Sequence, residues 1–222
     1  MLFRSAFNWM ATALLQRSGQ AVAAGDQLYS QIIVAADSLA AGHAGDVVDL
    51  HLIGHSRGAV VVNRALRDLV GTTDPALQGS YIRETLLDPH PAGASTLSLY
   101  SANPSTSFLV VLAYRQMENA MADPQVTIPK NVAIAEVYYQ HTVYSAFRNS
   151  NSTEFALNIW GEGPGNGIVN NSPNAIQWHN LTGVVDMTIG PSGKAIGPIG
   201  HSEITDWYET HIVVAGVAIL AH

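Results

Sequence analysis

A hydroxyl is a poor nucleophile until a base takes its proton, and the base in turn needs an acid to orient it. One serine in this chain of 222 residues stands in a setting suited to that chemistry: Ser56, at the centre of Gly54-His55-Ser56-Arg57-Gly58. The run before it, Val47-Val48-Asp49-Leu50-His51-Leu52-Ile53, reads as a strand and stops at Gly54. From Ala59 the spacing is helical, with Val61, Val62, Ala65, Leu66 and Leu69 on one side and Arg64, Arg67 and Asp68 on the other. Strand therefore gives way to helix inside the pentapeptide, the context in which G-x-S-x-G holds a serine at the tip of a sharp turn. Gly54 and Gly58 remove the Cβ atoms that would collide where the chain doubles back. The Arg57 N–H falls at a helix N-terminus, where unsatisfied donors can stabilise an oxyanion. The plainer alternative is a serine that merely caps the helix; the apolar strand before it and apolar helix after it favour the nucleophile.

Nine histidines compete to be the base. His55 lies within the turn, with its side chain expected to point away from the neighbouring Oγ. His51 is mid-strand, where a structural, hydrogen-bonded ring is expected. His43, His90, His141 and His179 fall in loops, His211 lies late in a closing helix, and His222 is the last residue. His201 differs, standing between the loop Gly197-Pro198-Ile199-Gly200 and the start of the last helix, where it can swing over the serine. For the acid, Tyr81–Leu87 reads as the strand after the serine's helix and ends in Asp88-Pro89-His90-Pro91. Two prolines cannot continue a ladder, so Asp88 is left at the strand's end, on the sheet edge that carries the nucleophile. Asp88 as a simple turn opener is the competing reading, and Asp186 and Glu136 are the alternative acids.

The order Ser56…Asp88…His201, with its serine between strand and helix, resembles the α/β-hydrolase superfamily, whose members run Ser…acid…His. The acid directly after the serine's helix is similar to that of pancreatic-type lipases, here within Leu87-Asp88-Pro89. The likeness is strong over Asp49–Ala65 and weaker over Thr85–Pro91 and Gly200–Tyr208. It implies Ser56 as nucleophile, His201 as base, Asp88 as orienting acid and the Arg57 N–H as oxyanion donor. It also implies a single domain over residues 1–222, in which 107–180 contains a cap or substrate-side insertion. Members of the superfamily usually have several strands before the serine, whereas only 55 residues precede Ser56 here. That departure implies a minimal variant or the latter part of a longer gene product. In the second case the sheet has a bare edge, a site for self-association.

The elements that must position these residues are read from periodicity. Gln20–Ala41 is expected to be a helix, with Val22, Leu28, Ile32, Ala35 and Leu39 at helical spacing. Leu109, Leu112, Ala113, Met117 and Met121 mark a helix over 107–121, and Asn131–Gln140 a strand rich in β-branched and aromatic residues. Residues 149–180 read as a long irregular stretch punctuated by glycines, 184–189 as a short strand, 190–200 as a loop and 202–214 as the closing helix. Residues 6–14 fit strand or short helix equally. Alternation of strands and helices predicts an α/β fold with a mostly parallel sheet flanked by helices.

Composition narrows the function classes. With 47% hydrophobic and 12% charged residues the chain is not disordered, and at 222 residues it can bury a sizeable core. A net charge of −7 with ten Lys and Arg leaves no basic face for nucleic acid. The absence of cysteine removes thiolate chemistry and disulfides. No apolar run reaches the ~18–20 residues of a membrane-spanning helix, and Asn8 and Trp9 interrupt the opening stretch, which does not read as a signal peptide. No H-E-x-x-H occurs, against a metal-dependent hydrolase. The expectation is a cofactor-free serine hydrolase of carboxylic esters, with Phe108, Leu109, Tyr138 and Tyr139 as candidates for an acyl pocket. A non-catalytic α/β-hydrolase-like binding or assembly module is the alternative.

Overall fold

The structure, a computed structural model, describes residues 19–42, 47–91, 97–101, 123–141, 155–159, 163–165, 167–191, 193 and 195–213. Its centre is a four-stranded sheet built from β1 (Leu50–His55), β2 (Ile82–Leu87), β5 (Ile134–Tyr139) and β8 (Ile176–Asn180), adjacent in that order and all parallel. Two helices precede and follow the first strand, α1 (Gln20–Ala40) and α2 (Gly58–Leu69). The smaller pieces are β3 (Leu97–Ser101) against β6 (Phe155–Ile159), β4 (Thr127–Ile128) against β7 (Val169–Asn170), and the hairpin β9 (Val185–Ile189) with β10 (Ala195–Pro198). The last helix, α3 (Glu203–Tyr208), continues into a π-helical turn over Glu209–Val213. This is the expected α/β class, a parallel sheet with flanking helices. Among the described residues no helix is long and apolar enough to cross a membrane.

Both faces of the central strands are covered, which is why β2 and β5 are nearly continuous in burial instead of alternating. On one face Ile82, Leu86, Ala135 and Val137 meet Val60, Val61, Ala65 and Leu66 of α2, backed by Ile32 and Ala36 of α1. On the other, Leu87 and Tyr138 pack with Ile196, Ile199, Ile204 and Tyr208. The two helices cross so closely that a Cβ built on Gly25 would lie 2.4 Å from Arg64 Cβ and 2.9 Å from the Val61 carbonyl oxygen. Only glycine admits that approach.

The structure departs from the sequence expectations at several points. The first strand runs to His55 because Gly54 and His55 still pair with Leu86 and Leu87, which confines the turn to Ser56 and Arg57. The stretch 149–180 is not simply irregular: it holds β6, β7 and β8, and β8 is the fourth strand of the central sheet. With Gln, His and Asn among its five residues and an edge position, β8 leaves little apolar period to read. Two central strands, β5 and β8, thus fall within 107–180. The presumed loop 190–200 contains β10, and the closing helix is shorter than expected before its π-turn. β3 had no counterpart in the periodicity. The expected elements at 6–14 and 107–121, with Phe108 and Leu109, lie outside the described residues.

Candidate active site

The turn after β1 brings the chain into α2 with little room. A Cβ on Gly54 would lie 2.7 Å from the Gly58 carbonyl oxygen and 2.9 Å from Ala59 Cα, so the first glycine of the pentapeptide is a steric requirement. Ser56 is held at φ 54°, a left-handed conformation that costs a non-glycine residue about 1 kcal/mol or more. Neighbouring strand ends hold it there: Ser56 N–H donates to the Leu87 carbonyl (2.9 Å), and His90 N–H to the Ser56 carbonyl (3.2 Å). Asp88 is the other non-glycine residue with positive φ among the described residues, 44°, and its N–H donates to the Tyr138 carbonyl (2.6 Å). Both positive-φ side chains stand at the same ends of adjacent parallel strands.

His201 enters from the loop between β10 and α3 and meets both. Its Nε2 lies 2.8 Å from Ser56 Oγ and its Nδ1 lies 2.6 Å from Asp88 Oδ2. A carboxylate only accepts, so Nδ1 carries the proton and Nε2 is left to accept from the serine hydroxyl. Asp88 is fully buried. It also accepts from the Gln140 N–H at Oδ1 (3.0 Å) and from Gln140 Nε2 at Oδ2 (2.9 Å), so both oxygens are engaged. The Arg57 N–H, at the entry to α2, donates to no group among the described residues. These three side chains and that donor form the arrangement needed to activate a hydroxyl and receive negative charge beside it.

The Arg57 side chain turns to other work. Its Nε and Nη2 meet Asp123 Oδ2 and Oδ1 at 2.5 and 2.7 Å, a buried bidentate pair that ties the turn to the segment before β4. Asn63 of α2 fastens the same segment by exchanging hydrogen bonds with the main chain of Thr127.

The other candidates go elsewhere. Glu136 accepts from Arg83 and Thr85, and Asp186 accepts from His211 Nε2 (2.5 Å) and Thr188 N–H (2.8 Å). His51 bonds Thr85 Oγ1 (2.9 Å), and burial, with the Arg83 charge adding, lowers its pKa to about 4. His179 lies in a strand instead of a loop, its ring stacked 4.2 Å from Tyr138. Tyr138 is packed between His179, Trp207 and Tyr208 in the core, which accounts for its apolar surroundings without a substrate. Burial raises its pKa above the usual phenol range.

At the site, the role of Gln140 went unremarked in the sequence, and His55 and His90 were set aside there. Gln140 directly follows β5 as Asp88 directly follows β2, on adjacent parallel strands, so a polar residue just past the equivalent strand end was the available signal. His55 was set aside, yet its Nε2 lies 2.6 Å from the His201 carbonyl and the two rings are 4.7 Å apart. His90 meets His201 edge-on at 6.3 Å. No family model, curated protein or solved structure matches the chain. What stands at this level is an α/β fold with a parallel four-stranded sheet and three side chains, from β1–α2, β2 and the β10–α3 loop, joined by hydrogen bonds at one end of it.

Proposed function

We propose that the protein is a serine hydrolase of carboxylic esters. The observation that carries this reading is the continuous hydrogen-bonded path from Ser56 Oγ through His201 to a fully buried Asp88, with the serine at positive φ. Ser56 Oγ attacks the ester carbonyl carbon as His201 Nε2 takes its proton. The carbonyl oxygen becomes an oxyanion facing the Arg57 N–H. The tetrahedral intermediate collapses, the C–O bond to the alcohol breaks, and the leaving alkoxide takes the proton from His201 Nε2. Water then attacks the acyl-enzyme with His201 again as base, releasing the acid and restoring Ser56. Asp88 stabilises the imidazolium and fixes its tautomer; Gln140 fixes Asp88.

The same machinery serves amides and thioesters; the low surface charge and apolar composition favour esters. The binding-module alternative draws on one observation: among the described residues β1, the strand that bears the serine, has a neighbour on one side only. A fluorophosphonate probe with a short-chain ester assay separates the two. Labelling and turnover that vanish in Ser56→Ala support the hydrolase; folded wild-type protein that neither labels nor turns over supports the module.

A further inference from the structure

His55 ends β1 immediately before the strained turn at Ser56, yet its ring reaches to the main chain of a residue 146 positions later. Its Nε2 lies 2.6 Å from the His201 carbonyl oxygen. A carbonyl can only accept, so His55 is the donor and carries its proton on Nε2. The two rings lie 4.7 Å apart, tilted by 38°, while His90 meets the His201 ring from another side at 6.3 Å, edge-on. The loop that delivers His201 needs such a tie. It leaves β10 just after Gly197, at φ 77°, and runs through Gly200, two residues that place few limits on their own backbone.

We propose that His55 is a positioning residue, whose Nε2–H holds the His201 main chain in register with Ser56 Oγ. Donor and nucleophile are adjacent residues where β1 ends, so the bond sets the base against the nucleophile's own backbone and not against a distant part of the fold. His201, which bonds Ser56, and Asp88, which bonds His201, then each have a support: His55 for His201, Gln140 for Asp88. Burial, and secondarily the neighbouring His201, lower the His55 pKa to about 4, with the His201 carbonyl and Asp88 opposing. The ring is therefore neutral at neutral pH and does not repel the imidazolium that forms on His201.

This inference rests on the hydrolase reading for its rate effect. The test compares wild type, H55F, H55N and H55Q by the rate of fluorophosphonate labelling and by solvent exchange of the far-downfield His201 Nδ1–H proton resonance. H55F removes the donor, and H55N, with an amide that stops short of the carbonyl, does so while keeping a polar side chain. Both label roughly 10- to 100-fold more slowly, as expected for a slightly displaced base, and exchange the Nδ1–H proton faster. H55Q, whose amide reaches about as far as Nε2, recovers most of the loss. Wild-type rates and exchange in H55F and H55N, or no recovery in H55Q, would overturn the assignment. Wild-type protein that never labels refutes the hydrolase reading instead, and the exchange comparison still decides whether His55 holds the loop.

Discussion

Glu84 is the most exposed point of the fold's energetics although its side chain is wholly buried. It sits mid-strand in β2, between Ile82 and Leu86 on the face that packs against α2, and among the described residues neither carboxyl oxygen has a hydrogen-bond partner. Burial pushes its pKa up to about 8, and Asn63, whose amide is already committed to Thr127, offsets only a little of that. The folded protein therefore keeps the Glu84 proton over a range in which the unfolded chain, near the ordinary value of 4.5, has lost it. The stability this gives is complete below about pH 4.5 and drains away as pH rises, levelling off above about pH 8. At ~1.4 kcal/mol per unit, the loss by pH 7 is roughly 3 kcal/mol. Glu84→Gln keeps the shape and removes the titration. Urea unfolding of both proteins from about pH 5 to about pH 9 isolates the effect, because every other group titrates alike in the two. The stability difference should move in favour of the glutamine variant by roughly 3 kcal/mol between about pH 5 and about pH 8. A difference that stays flat across the range would refute a neutral buried acid at this position.

Asp88→Asn should leave the fold intact but offer His201 Nδ1 a donor in place of an acceptor, turning the imidazole to the wrong tautomer; ester turnover falls by about 10³–10⁴ with little change in KM, measured by steady-state kinetics beside a thermal melt. Gly25→Ala should lower stability by about 1–3 kcal/mol in urea unfolding, despite alanine's better helix propensity, because the added methyl meets Arg64 Cβ and the Val61 carbonyl. A stabilised Gly25→Ala would mean that α1 and α2 part at no cost.

The local structure around Ser56 was readable from the sequence. Strand, turn and helix around Ser56 follow from the apolar run, the two glycines and the change of period, and the buried stripe of α2 follows from its spacing. Interactions between near neighbours in sequence fix such features, so the sequence carries them in full. The elements it hid are those with weak apolar patterns: β8, polar and at the edge, and β10, four residues in a hairpin. There, pairing with an already formed strand supplies what propensity does not.

What tertiary structure alone decided is who meets whom. Asp88 and His201 are 113 residues apart, and Ser56 and His201 are 145 apart. No periodicity reports a distance across such separations. Gln140 and His55 were invisible for the same reason: each acts on a residue brought beside it by parallel register or by loop closure. Glu84 makes the point from the other side, since a glutamate in a strand reads as solvent-facing until the helix packed over it is known. Sequence offered the candidate residues; the sheet, by aligning the ends of β1 and β2, and the loop that carries His201 over them determined which are close enough to share a proton.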